Sequence, residues 1–391
     1  MYPHQAERLT EALERAGVAA LVATSPANVF YVTGFAGLTP HLYPHLPVFA
    51  VFARGGTALV VPGLEAAAVV SEAVEADVVR TYGGFVYARS ASPGEVGARI
   101  HALAARDLAT AEEALAATLD ELGVGAGPVG LDESRLAAPA WQRAVERLAP
   151  RRVVPAASAF HAARRVKGPW EIECLDRALR VTEEAVNAVI QALKPGVTER
   201  EAVALWEQEL GRRGARSFCS TILFGDRAAF PTAPPAERAL KPGDLIRIDV
   251  GAVCRGYHAD LGRTAVAGEP TPEQASVHDA LQRGLEAALD AVRPGARGAD
   301  VFRAAVEAVR AHGRPEFGRH HVGYGIGLEP FEPPLLAPGT EDRLETGMVL
   351  RVETPYYELG WGGLHLKDTV LVTRAGHHVM NRSVRGLVVL D

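Results

Sequence analysis

The chain has 391 residues, 48% of them hydrophobic and 23% charged, with a formal net charge of −6; that length exceeds one ordinary core and fits two domains. The basic residues are scattered rather than striped, which removes nucleic acid from the expected partners. No long apolar run and no basic leader ahead of an apolar core appears, and Cys174, Cys219 and Cys254 are too few for a disulfide framework and form no CxxC pair, so a cytoplasmic protein with no membrane partner is expected.

Apolar spacing from Gln5 to Ala16 predicts an amphipathic helix, followed by a strand at AALVAT and a turn at Ser25-Pro26. VFAVFARGGTALVVP reads as two strands around Gly55-Gly56, a hairpin signal, and helical patterning returns at 66–76 and 106–122. A run of Pro, Ala and Arg between Arg152 and Pro169 precedes a strong helix start and places a domain boundary near Ser158. The second half opens on a long helix, PWEIECLDRALRVTEEAVNAVIQAL, stopped by Lys194-Pro195-Gly196. Thr198 and Glu201 then form a capping-box signature for the next helix. Strands follow at LIRIDVGAV and GYHADLGRTAVA, and, after another helical pair, at MVLRVETPYY and GLHLKDTVLVT. The glycine-dense GYGIG, 323–327, has no helix after it and reads as a tight loop rather than a phosphate cradle.

Asp249 and Asp260 stand at the ends of IDVGAVCRGYHAD, on two strands separated by a glycine-bearing turn that can bring both carboxylates to one side. Carboxylates so placed suit a divalent metal with hydrolytic water; an exposed pair on a hairpin is the plainer alternative.

GDLIRIDVGAVCRGYHADLGRT, GYGIGLEPFEPP and GMVLRVETPYYELGWGGLHLKDTVLVT, in that order, resemble the three signatures of the pita-bread family that includes Xaa-Pro dipeptidase, aminopeptidase P, methionine aminopeptidase and creatinase. RRVKGPWEIE and LVATSPANVFYVTGF resemble the prolidase branch, so the likeness covers nearly the whole chain. It implies a mixed α/β (α+β) fold of two domains: a creatinase/prolidase N-terminal α/β domain over 1–158 and a pita-bread domain over 159–391. It also implies a homodimer and two divalent ions (manganese, cobalt or zinc) held by Asp, Asp, His, Glu and Glu, with two further histidines assisting proton transfer. Carried over by position, Asp249, Asp260 and Glu353 match the aspartates and the first glutamate. The ligand histidine falls on Tyr324 and the second glutamate on Lys367, while the assisting histidines fall on Thr232 and Phe331.

An ionised lysine has three donors and no acceptor, so it cannot ligate a metal and puts positive charge where a cation would sit. Three carboxylates with one ammonium leave a charge of −2 at the site. At an effective dielectric near 20, each ammonium–carboxylate contact at about 4 Å supplies about 4 kcal/mol before desolvation is subtracted. No metal cofactor is therefore expected. Asp368 neighbours Lys367 but should face the other side of the strand, whereas His365 and His258 lie two residues from Lys367 and Asp260 on the same faces. His320 and His321 precede the glycine loop, and a place at the surface or behind the ligand positions is the plainer reading for both. His41, Tyr43 and His45 lie in a proline-rich loop that either lines a pocket or is simply a loop. Tyr324 and Phe331 suggest a drier cleft.

These residues point to a metal-free pseudoenzyme of the Xaa-Pro dipeptidase type with little or no hydrolysis, binding a peptide or small molecule. The alternatives are an active proline dipeptidase with a reduced or rearranged metal site, and a metal-independent C–N hydrolase of the creatinase or ectoine-hydrolase kind. The charge argument requires the Lys367 ammonium to lie within hydrogen-bond reach of at least one of Asp249, Asp260 and Glu353. Lys367→Glu together with Tyr324→His is then expected to recover metal affinity, read by calorimetry.

Overall fold

A computed structural model describes residues 2–72, 74 and 76–390. The chain divides into two compact units, Met1–Arg164 and Arg165–Asp391. The expected boundary near Ser158 falls inside the helix Ala157–Arg164, which belongs to the first unit.

In the first unit the helix Pro3–Ala16 carries a capping box closed by Gln5 and ends at Gly17, whose φ of 64° is the left-handed conformation that glycine accepts most readily. The strands are β1 (Ala20–Ala23), β2 (Phe49–Ala53), β3 (Gly56–Pro62), β4 (Val78–Tyr82), β5 (Val129–Leu131) and β6 (Val153–Pro155), arranged in the order β4-β3-β2-β1-β5-β6. β2 and β3 are the expected hairpin, with Ala53 opposite Gly56. Ser25-Pro26 is not a plain turn: Ser25 caps the helix Pro26–Thr33 through the amide of Asn28, and proline takes the first helical position, where its missing N–H costs nothing. Of the stretch 66–76, Ala66–Ser71 is helical, and Ala73 and Glu75 lie outside the described residues. The helix expected over 106–122 begins only at Ala111, because Thr110 caps it by accepting from the amide of Glu113.

The second unit begins with the helices Pro169–Ala192 and Glu199–Arg212, the latter closed by the predicted Thr198–Glu201 box. Its strands are β7 (Arg216–Phe224), β8 (Leu245–Cys254), β9 (Tyr257–Ala267), β10 (Gly323–Gly325), β11 (Glu332–Leu335), β12 (Val349–Glu353), β13 (Tyr356–Glu358), β14 (Gly362–Leu364), β15 (Lys367–Thr373), β16 (Gly376–Val379) and β17 (Val388–Leu390). The main sheet runs β11-β10-β12-β15-β9-β8-β7. GYGIG is thus partly a strand, held against β12, rather than only a loop.

Strand alternation sorts this sheet into two faces. Ile246, Ile248 and Val250 of β8 join Trp206 and Val186 in one apolar cluster, and Leu350 and Val352 of β12 join Leu281, Leu285 and Val309 in another. Two helix pairs, Pro169–Ala192 with Glu199–Arg212 and Pro272–Ala291 with Gly298–Ala311, therefore cover the apolar face. Arg247, Asp249, Arg351 and Glu353 fall on the opposite face, because each lies one residue out of step with that pattern.

One buried carboxylate organises the first unit. Asp132 accepts from the amides of Thr24, Ser25 and Ser134 and from Asn28 Nδ2 at 2.7 Å. Burial raises its pKa, but the bonds from Ser134, Asn28 and Ser25 outweigh burial and leave it below the usual range. Asp132→Ala strands these donors and should cost about 3 kcal/mol in urea unfolding at neutral pH. Because the folded pKa is depressed, this contribution is complete above the unfolded value of about 4 and lost as pH falls through the folded one. The gap between variant and parent should therefore narrow in acid.

Candidate functional site

Three carboxylates of the second unit converge around one ammonium. Asp249 pairs directly with Gly262 across β8 and β9, Gly262 with Lys367 across β9 and β15, and Lys367 with Glu353 across β15 and β12. Cross-strand partners share a face, so this row delivers Asp249, Lys367 and Glu353 to one surface. Asp260 joins them two residues before Gly262. Lys367 Nζ donates to Asp249 Oδ1 at 2.6 Å and to Asp260 Oδ1 at 2.8 Å, and lies 3.6 Å from Glu353 Oε2. The reach expected of this lysine is present.

Two further cations carried by the site strands, Arg247 and Arg351, join the cluster, and sequence reading missed both. Arg247 Nη1 lies 3.3 Å from Asp249 Oδ2 and is anchored on the carbonyls of Ala228 and Phe230. Arg351 Nη1 pairs with Asp260 Oδ2. Each arginine stands two residues before a site carboxylate, Arg247 before Asp249 and Arg351 before Glu353, and the period-2 rule puts it on the same face. That was the available signal. With Arg247, Arg351 and Lys367 facing Asp249, Asp260 and Glu353, and Arg319 beside Glu353, the permanent cations match or exceed the carboxylates, and the residual −2 expected from lysine alone is corrected.

Burial raises the pKa of Asp249 and Glu353, but Lys367 and His365 outweigh it and hold both well below the usual range. Asp260 goes the other way, to about 7: burial dominates, and the charges of Asp249 and Glu353 add to it against the pull of Lys367. Burial and Arg351 lower the Lys367 ammonium, yet the three carboxylates win and raise it overall. Cys219 also faces this cluster, with Sγ 3.5 Å from the carbonyl of Asp249. Burial and the charges of Asp249 and Asp260 push its thiol up to about 11, so it stays protonated and weakly nucleophilic at neutral pH.

The other candidates separate clearly. His365 is in the cluster, with Nδ1 3.4 Å from Asp249 Oδ2 and Nε2 3.3 Å from Glu353 Oε2. His321 reaches Glu353 Oε1 at 3.4 Å, and Arg319 lies 3.7 Å from the same oxygen. His320 is exposed. His258 turns to the carbonyl of Gly327 and sits edge-on to Phe218; burial drives its pKa to about 4, so it is neutral. Asp368 is on the far face, as alternation requires, paired with Arg263 at 2.9 Å and with Arg385. Tyr324 is buried and stacks on Phe331 at 3.9 Å, with the Arg351 guanidinium also 3.9 Å from the Tyr324 ring centroid. Phe331 is 61% exposed, so the drier cleft expected from the two aromatics holds only at Tyr324. Thr232 is exposed on the loop after Pro231. His41, Tyr43 and His45 are exposed in the first unit, where Tyr43 and His45 meet edge to edge.

A pair of divalent ions does not fit these residues. Lys367 Nζ already takes up the point where Asp249 and Asp260 converge, Arg351 takes the other oxygen of Asp260, and Tyr324 offers no imidazole. Among the described residues, no group of three or more His, Cys, Asp and Glu side chains is arranged to hold a metal ion.

Residues 173–374 match the model of metallopeptidase family M24, and residues 5–166 match the creatinase/prolidase N-terminal domain. An Xaa-Pro dipeptidase of Pyrococcus furiosus is 31% identical over 225 residues, which are 57% of this chain and 65% of that relative. The chain thus spans just under two thirds of that protein's length. The solved Xaa-Pro dipeptidase of Bacillus anthracis superposes with a TM-score of 0.82 at 23% identity, covering 99% of both chains. A dipeptidase of Mycobacterium ulcerans superposes with a TM-score of 0.78 at 26% identity, covering 98% of this chain and 96% of that one. These likenesses bear out the two-domain creatinase-like and pita-bread architecture expected from the motifs.

Lys367→Met removes the central cation and should cost about 3–5 kcal/mol, since it leaves buried carboxylates short of counter-charge. Their folded pKa values then rise above the unfolded ones, so stability is retained at low pH and lost as pH climbs through the raised values. Urea unfolding at pH 5 and pH 8 should show the deficit widening with pH.

Proposed function

The chain belongs to metallopeptidase family M24, and we propose that it works there without metal, as a pseudo-peptidase of the Xaa-Pro dipeptidase type. It hydrolyses Xaa-Pro peptides little or not at all and keeps its cleft for binding a peptide or other small ligand. The observation that carries this reading is the ammonium of Lys367 between Asp249, Asp260 and Glu353. A metal-dependent Xaa-Pro hydrolase needs a polarising cation that accepts water as a ligand, and an ammonium accepts no lone pair into a vacant coordination position. The exposed Thr232 and Phe331 supply no proton-transfer group either. A cytoplasmic homodimer belongs to the same proposal and is checked by sedimentation of the purified chain.

A second reading, a metal-independent C–N hydrolase, is favoured by one observation. Asp249, His365, Glu353 and His321 alternate carboxylate and imidazole at 3.3–3.4 Å, a chain of groups able to hold and orient protons without metal. A screen of amidino and cyclic amidine compounds tests it, and the absence of any turnover removes it.

Calorimetric titration of the purified protein with manganese, zinc and cobalt, run beside an Xaa-Pro hydrolysis assay, decides the main reading. No micromolar binding and no metal-stimulated hydrolysis is expected; micromolar uptake of two ions overturns the proposal. Arg351 changes the expectation for reversion. Lys367→Glu with Tyr324→His still leaves a guanidinium on Asp260 and should gain less than about tenfold in manganese affinity, whereas adding Arg351→Thr should gain about a hundredfold.

A further inference from the structure

The row Asp249, Gly262, Lys367, Glu353 contains one member with no side chain. Gly262 lies in the interior of β9, where glycine is a poor strand residue: it loses more backbone freedom on folding and packs nothing. Its φ is outside the left-handed region, so backbone geometry does not require glycine there. Space does. A Cβ at 262 would stand 2.7 Å from Lys367 Cβ and 2.8 Å from Cδ2 of the His365 ring, closer than real Cβ atoms approach.

The chain of Lys367 has to cross this gap. Asp249 and Lys367 sit on strands separated by β9, about 10 Å apart at two strand spacings. The ammonium nevertheless reaches Asp249 Oδ1 at 2.6 Å, by lying over β9 beside Asp260. His365, two residues before Lys367, lies over the same strand to meet Asp249 and Glu353. Both side chains use the slot that the missing Cβ leaves open.

We infer that Gly262 is the positioning residue that lets the Lys367 chain and the His365 ring lie over β9 against the carboxylate cluster. The inference rests on the metal-free reading of the site and adds its structural precondition: a side chain at 262 and the Lys367–His365 lid exclude one another. The contact is steric and local, so its energetic signature is a coupling between position 262 and positions 365 and 367, not a general loss of strand stability.

A double-mutant cycle tests it in the full chain. Gly262→Ala in the native background should lower the unfolding midpoint, while the same exchange in a Lys367→Gly, His365→Ala background, which removes the Lys367 Cβ and the His365 ring, should leave it unchanged or raise it, as alanine at an ordinary strand position does. An equal loss in both backgrounds, or failure of the combined variant to fold, overturns the inference. If Gly262→Ala alone does not fold, recovery of folding by Gly262→Ala in the Lys367→Gly, His365→Ala background completes the test. Amine acylation read by mass spectrometry gives a second measurement. Lys367 in folded Gly262→Ala should label about tenfold faster relative to the buried Lys167 than in the parent, since it has been lifted off its carboxylates. An unchanged ratio contradicts the inference. Manganese calorimetry on the parent is run alongside: micromolar binding there would fail the metal-free reading, while the cycle reports on the glycine independently.

Discussion

Three carboxylates on one buried sheet face need positive charge, and nearly everything distinctive about this chain follows from how that need is met. Bare, the three would repel one another and take up protons; held by Lys367 and the arginines around it, they stay together in a region shielded from water. Lys367 supplies the contact common to Asp249 and Asp260, while Arg247 and Arg351 hold the outer oxygens. The family scaffold is retained, and its carboxylates are joined in an ionic network of side chains.

The architecture was legible because it is written in periodicity and punctuation. The Thr198–Glu201 box, the hairpin at Gly55-Gly56 and the alternating runs around Asp249 and Glu353 each state a local preference that the packing then uses. Where reading failed, a local signal had been given the wrong partner. Ser25-Pro26 looks like a turn, but the same two residues open a helix as cap and first position. GYGIG looks like a loop, and only the proximity of β12 makes part of it a strand.

The site was half legible. Asp249, Asp260, Glu353 and Lys367 follow from motif positions, and strand alternation separates His365 from Asp368 correctly. Arg247 and Arg351 were hidden in plain view, since attention to ligand positions draws the eye away from residues two places off that share the face. The direction of His258 was not readable at all: its ring turns to the Gly327 carbonyl, a contact set by a loop distant in sequence.

The interlocking of Arg351 with Asp260 and of Lys367 with three acids has a consequence for descent. Replacing Lys367 alone by a carboxylate adds a fourth buried acid while Arg351 still holds Asp260, so that single step passes through a less stable protein. Such a site is entrenched. Positions 260, 351 and 367 are therefore bound to change together, and substitution elsewhere in the cleft is freer than substitution inside the network.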